Sequence, residues 1–182
     1  MRNALRRIAL GVLSTGIIAT MAAGATTTAA SAAVSAPQHA AAAAHPVWLW
    51  WPVVRKGDRG ARVVTIQYLL DARGARLKPD GKFGRSTEMA VRWFQKSARL
   101  YPDGVVGKAT WPKLLITVWR GCRGYAVKAV QAQLQHHGYR IAVTGFFGRS
   151  TEKAVKKFQW KSHLVPDGVV GLHTWNAMVV HD

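Results

Sequence analysis

Gly81-Lys82-Phe83-Gly84-Arg85-Ser86-Thr87-Glu88 returns 64 residues later, without a gap, as Gly145-Phe146-Phe147-Gly148-Arg149-Ser150-Thr151-Glu152. The echo runs on through Phe94-Gln95 and Phe158-Gln159 to Pro102-Asp103-Gly104-Val105-Val106-Gly107 and Pro166-Asp167-Gly168-Val169-Val170-Gly171, and closes on Thr110-Trp111 and Thr174-Trp175. Of the 58 positions from Gly57 to Leu114, 28 are identical in Gly121 to Met178. Two unrelated folds do not share that much, so one small unit is present twice.

Within the unit, Val63, Ile66 and Leu70, matched by Val127, Val130 and Leu134, have the spacing of one helical face, and Gly74 and Gly138 stand where a left-handed C-terminal cap belongs. Ala90, Val91, Phe94 and Ala98 form a second apolar stripe, ended by the turn Pro102-Asp103-Gly104. A shorter third helix is expected after Gly107, turning Trp111 and Leu114 inward as Trp175 and Met178 do in the second copy. Gly84-x-x-Thr87 and Gly107-x-x-Thr110 read as helix starts, with a glycine cap and a hydroxyl in the first turn. The expected fold is all-α: two tandem compact three-helix domains with short loops and little or no sheet.

Ahead of the repeats, Arg2, Arg6 and Arg7, the apolar run from Ile8 to Ala23 and the small residues Ala30-Ser31-Ala32 read as a secretory signal peptide over residues 1–32. Residues 33–46 read as an Ala-rich spacer. The first domain then covers residues 47–115 and the second 116–182. No membrane-spanning segment is expected once the signal is removed. The aromatic stretch Val47 to Val54 reads as an extended lead-in packed on the first domain or, alternatively, as an exposed tryptophan cluster suited to sugar rings.

The whole chain carries a formal net charge of +18. Loss of Arg2, Arg6 and Arg7 with the signal leaves 23 Lys and Arg against 8 Asp and Glu, a net charge of +15. Such a chain calls for an anionic partner, and export argues against nucleic acid. Cys122 is the only cysteine, so no internal disulfide can form. It is free to link two chains instead.

In order, Gly57, Gly60, Val63, Gln67, Asp80-Gly81-x-Phe83-Gly84, Thr87, Ala90-Val91, Phe94-Gln95, Asp103-Gly104-x-Val106-Gly107 and Thr110-Trp111, and their repetition, resemble the peptidoglycan-binding domain of the three-helix type. The resemblance covers both repeats and implies an all-α fold and attachment to peptidoglycan. The second copy departs from it at Thr144, which replaces the aspartate before Gly145, and Arg85 and Arg149 stand where the family often has proline.

Catalysis on such a polymer usually needs a carboxylate pair, a metal-bound water or an activated nucleophile. The only glutamates, Glu88 and Glu152, sit one per copy in a first helical turn, where they complement the dipole. The seven histidines show no ligand spacing, so neither metal nor cofactor is expected. The reading is of a secreted, cell-wall-associated, non-catalytic protein, using two modules for avidity on the stem peptide or glycan and, in addition, on anionic teichoic acid. Two alternatives stand beside it: a wall hydrolase or its targeting subunit, and a non-selective cationic coat protein.

For specific contact, turns that meet helix starts offer free N–H groups for a carboxylate. The candidate ligand set is therefore Asp80, Arg85, Ser86, Gln95 and Trp111, with Arg149, Ser150, Gln159 and Trp175. Gln67, Gln95, Gln131 and Gln159 have a competing reading as internal braces of loop backbone, and Trp111 and Trp175 have one as core residues. Arg92, Lys96 and Arg99, with Lys153, Lys156, Lys157 and Lys161, form either a solvated face or a diffuse anion-binding stripe.

Overall fold

The computed structural model describes residues 49–181. The signal-peptide and spacer readings, and Val47 and Trp48 of the lead-in, lie outside the described residues. Six helices follow one another: α1 (Ala61–Asp71), α2 (Arg85–Ser97) and α3 (Trp111–Leu114) in the first copy, α4 (Tyr125–His136), α5 (Arg149–Lys161) and α6 (Leu172–Val180) in the second. The described residues contain no strand; four isolated antiparallel bridges replace a sheet. The fold is all-α, as the repeat pattern predicts.

Each first helix ends as its glycine requires. Gly74 and Gly138 adopt φ of 94° and 83°, and the next amides, Ala75 and Tyr139, donate back to Leu70 and Leu134. That left-handed stop lets the chain reverse without exposing helix-end carbonyls. The helix starts differ from expectation. Gly84 and Gly148 are the N-caps of α2 and α5, but no side chain caps them. The hydroxyls of Thr87 and Thr151 turn inward to Gln67 and Gln131 instead.

The third helices are unequal. α6 begins directly after Gly171, whereas α3 begins three residues beyond the equivalent of Leu172 and is four residues long. Pro112 explains the difference. Lacking an N–H, it cannot close a helical bond to Lys108, so residues 108–110 remain a turn.

One hydrophobic core runs through both copies, with a buried tryptophan in each. Trp111 and Trp175 are fully buried, and their indole N–H groups donate to the carbonyls of Pro52 at 2.8 Å and Ile116 at 2.9 Å. The lead-in segments therefore serve as lids. Val54 pairs with Val106 and Val118 with Val170, and Trp51 stacks on Trp111 at 6.0 Å. Trp50 points outward, 64% exposed, so the tryptophan cluster is split between core and surface.

The two copies are fused along α1 and α4, and the described residues lie within one compact unit. α1 buries residues on two faces, Val63, Ile66 and Leu70 on one and Thr65 and Leu69 on the other, and α4 is the helix it packs against most. The matching second face of α4 is Ala126, Ala129 and Gln133. Tyr68 and Tyr125 stack at 6.5 Å along this seam, and Arg62 donates to the carbonyls of Val179 and Val180 at the end of α6.

Candidate functional site

Four glutamines hold the turns in one repeated arrangement. Gln95 Nε2 donates to Asp103 Oδ1 at 2.7 Å, Val105 O at 2.9 Å and Thr110 Oγ1 at 3.1 Å, while its Oε1 accepts from Gly104 N at 2.9 Å. Gln159 repeats the set on Asp167, Val169, Thr174 and Gly168. Gln67 does the same for Asp80, Lys82, Thr87 and Gly81. Gln131 completes the series on Thr144, Phe146, Thr151 and Gly145. Each buried primary amide shares its donors among a turn carbonyl and two side-chain oxygens and gives its acceptor to a turn N–H, so the turns are rigid where they approach the helix starts.

Several candidate residues fall inside this framework rather than on the surface. Gln95 and Gln159 are buried and Trp111 and Trp175 are core, none presenting an accessible face. Asp80 receives both Gln67 Nε2 and Lys82 N at 2.9 Å. Those hydrogen bonds, the Gln67 amide foremost, hold its carboxyl below the usual aspartate range. Thr144 takes both roles in the second copy over longer distances of 3.3 and 3.2 Å. Arg85, Ser86, Arg149 and Ser150 are exposed in the first turns of α2 and α5. The candidate set is thus split between framework and surface.

The surface members lead to an open groove of about 530 Å³ beside α5. Arg149, Lys153, Lys156 and Lys157 supply its charge, and Trp160 with Pro166 its apolar walls. Trp160 is 72% exposed, an indole face available to a flat apolar or sugar surface. Glu152 is the one acid at the groove, and Lys156 at 3.3 Å and Arg120 at 3.5 Å pair with it. The groove is therefore cationic and aromatic together. The charge stripe in the sequence points to it, but only the return of the Pro166 turn onto α5 makes a concavity. Lys161 does not join it, and Arg99 leaves the helical face altogether, adopting φ 57° past the end of α2.

The first copy carries a different surface at the same place, with Met89, Trp93 and Lys96 exposed. Arg92 is committed: it donates to Pro102 O and, at 3.1 Å, to Glu88. That guanidinium, and then Lys56, keep the Glu88 carboxyl below its ordinary range. Cys122 is partly buried against the core. Among the described residues no group of three or more His, Cys, Asp or Glu side chains is placed to hold a metal, and no helix is long and apolar enough to cross a membrane.

Twin helical units with turns locked from inside and a cationic, aromatic groove left open define a tandem binding-module protein. The chain belongs to the putative peptidoglycan binding domain family, which matches it twice, over residues 59–114 and 123–178. A similar curated relative is an uncharacterized protein in the bpoA1 3' region of Kitasatospora aureofaciens, 46% identical over 54 residues, covering 29% of this chain and 46% of that one. Among solved structures, a peptidoglycan-binding protein from Clostridioides difficile in complex with glutamine hydroxamate is 43% identical, covering 35% of this chain and 40% of its own, with a TM-score of 0.34. A Burkholderia AP3 phage endolysin is 28% identical over 59% of this chain and 38% of its own, with a TM-score of 0.35. The chain spans less than half the length of these relatives. Its two matched segments are peptidoglycan-binding modules, which supports association with the cell wall.

Proposed function

We propose that this is a secreted, non-catalytic protein that holds peptidoglycan through two fused modules. The observation carrying the reading is the presence of two complete copies of a peptidoglycan-binding module in one chain. A lattice polymer presents many equivalent sites, so the second contact forms at high effective concentration once the first is made. The α5 groove suits such a ligand: lysines and Arg149 for stem-peptide carboxylates, Trp160 for the face of a sugar ring. The glutamates support the non-catalytic part, since Glu88 and Glu152 are each paired with two cations.

A pull-down on purified, teichoic-acid-free peptidoglycan at physiological salt tests this reading, and protein left in the supernatant would refute it. Trp160→Ala should weaken retention about tenfold, the loss expected of one stacked ring worth about 1.4 kcal/mol. A cationic-coat protein would behave otherwise. Its binding would ignore Trp160→Ala and collapse with moderate salt.

A further inference from the structure

Each copy has another groove, where the end of its second helix meets the loop after its first, and the two grooves carry different cations. In the first copy Arg73, Phe94, Arg99 and Lys113 line about 350 Å³. Arg73 lies over the Phe94 ring at 5.7 Å and donates to Lys113 O at 3.1 Å. In the second copy His137, Phe158, Lys161, His163 and His181 line about 420 Å³. His137 takes the place of Arg73, its ring 4.9 Å from Phe158 and its Nε2 2.9 Å from Met178 O. His163 takes the place of Arg99, with φ of 56° against 57°.

Lys161 and Tyr139 also face the second groove, the ammonium 5.7 Å from the phenol ring, and His136 meets His137 edge-on at 5.8 Å. No Asp or Glu among the described residues lines either groove. Each therefore offers positive charge beside an aromatic ring, a setting that suits an oxyanion, carboxylate or phosphate, on an apolar stem. Guanidinium keeps its charge throughout the physiological range, whereas imidazole acquires or loses it between about pH 5 and 8.

We propose that the two grooves are paired oxyanion sites, a constitutive one built on Arg73 and Arg99 and an acid-strengthened one built on His137 and His163. Neither shares a lining residue with the α5 groove. The inference goes beyond the wall-binding reading and stands or falls separately from it, because its test uses small anions. Such a pair would let the grip on an anionic polymer tighten as the surroundings acidify.

The test is an NMR titration of the full chain with acetate and, separately, with dimethyl phosphate, at about pH 5.5 and about pH 8, with affinities referred to the ionised anion. The amides of Ser162 and His163 should report binding at least about fivefold tighter at the lower pH, and those of Arg99 and Lys113 equal binding at both. A preference for acetate would assign the sites to peptide carboxylates, a preference for dimethyl phosphate to phosphodiester polymers. His137→Arg with His163→Arg and His181→Thr, the residues that the first copy has at these three positions, should abolish the pH dependence while keeping the binding. His163→Arg alone, at an exposed position where Arg99 has the same backbone conformation, should remove at least half of it. Equal affinity at both pH values in the second groove, pH dependence surviving both variants, or no saturable response at either groove would overturn the proposal.

Discussion

At the scale of single residues, the amide of Gln95 does more than any charged group to define the surface. Replacing it with Leu keeps the volume but strands the buried Gly104 N–H, takes the amide donor from Asp103, and leaves the Val105 carbonyl and Thr110 Oγ1 only their mutual bond of 3.2 Å. Stability should drop by about 2–4 kcal/mol, read as a lowered urea midpoint with an unchanged slope. A loss under about 0.5 kcal/mol would mean that the turn holds itself. Asp80 gives a pH signature to the corresponding turn. Because its folded carboxyl is held below the ordinary value of 3.8, its contribution is complete above that value and is lost as pH falls through the folded one. Asp80→Thr copies Thr144, so the variant should be less stable than the parent at about pH 7, and by less at about pH 2. The same deficit at both pH values would show that the carboxylate's charge is irrelevant.

Among the elements, the α1–α4 seam departs furthest from what periodicity suggests. Val63, Ile66 and Leu70 are legible as a core stripe because they are apolar at helical spacing. The second stripe is hidden, since Thr65 and Gln133 are polar and Ala126 and Ala129 are small. Thr65 Oγ1 and both amide atoms of Gln133 are buried with no hydrogen-bond partner. Leu69 occupies the position equivalent to Gln133 in the first copy and is fully buried. Gln133→Leu should therefore stabilise the chain by about 1–2 kcal/mol, raising its melting temperature. A lower melting temperature would show that the amide finds partners that stabilise the seam.

On the scale of the whole molecule, duplication makes a single body rather than two beads. From sequence, Thr144 for Asp80 loosens a turn while Phe146 for Lys82 and Trp160 for Lys96 add apolar surface, so an isolated second repeat is expected to be the weaker binder and the more prone to self-association, although the proposed α5 groove lies in that same copy. Phe146 is in part accounted for within its own copy, since Arg123 lies 4.1 Å over its ring. The seam changes the expectation for the first copy. Cutting at Ile116 uncovers Leu69 and Tyr68 on one side and Ala126 and Ala129 on the other, and removes Arg62 from the end of α6. Fragments covering residues 53–115 and 117–182 should both be less stable than the full chain and should both self-associate, or join each other when mixed. Two stable monomers by size exclusion, with no affinity for each other, would contradict this.

The sequence by itself determined the duplication, the helical class, the glycine stops and the turn identities, because each rests on local spacing and backbone stereochemistry that no distant contact overrides. The roles of Asp103 and Asp167 as turn formers belong to that legible part. Tertiary structure decided which way the polar residues face. Gln95 and Thr87 are polar yet buried, and Trp160 is apolar yet exposed, because burial follows which groups a turn or neighbouring helix can satisfy and not hydropathy alone. It also decided that a charge stripe becomes a groove only where the Pro166 turn folds back on α5. Likewise Arg73 and His137, unremarkable in one dimension, come to occupy equivalent grooves only because each first helix ends beside its second.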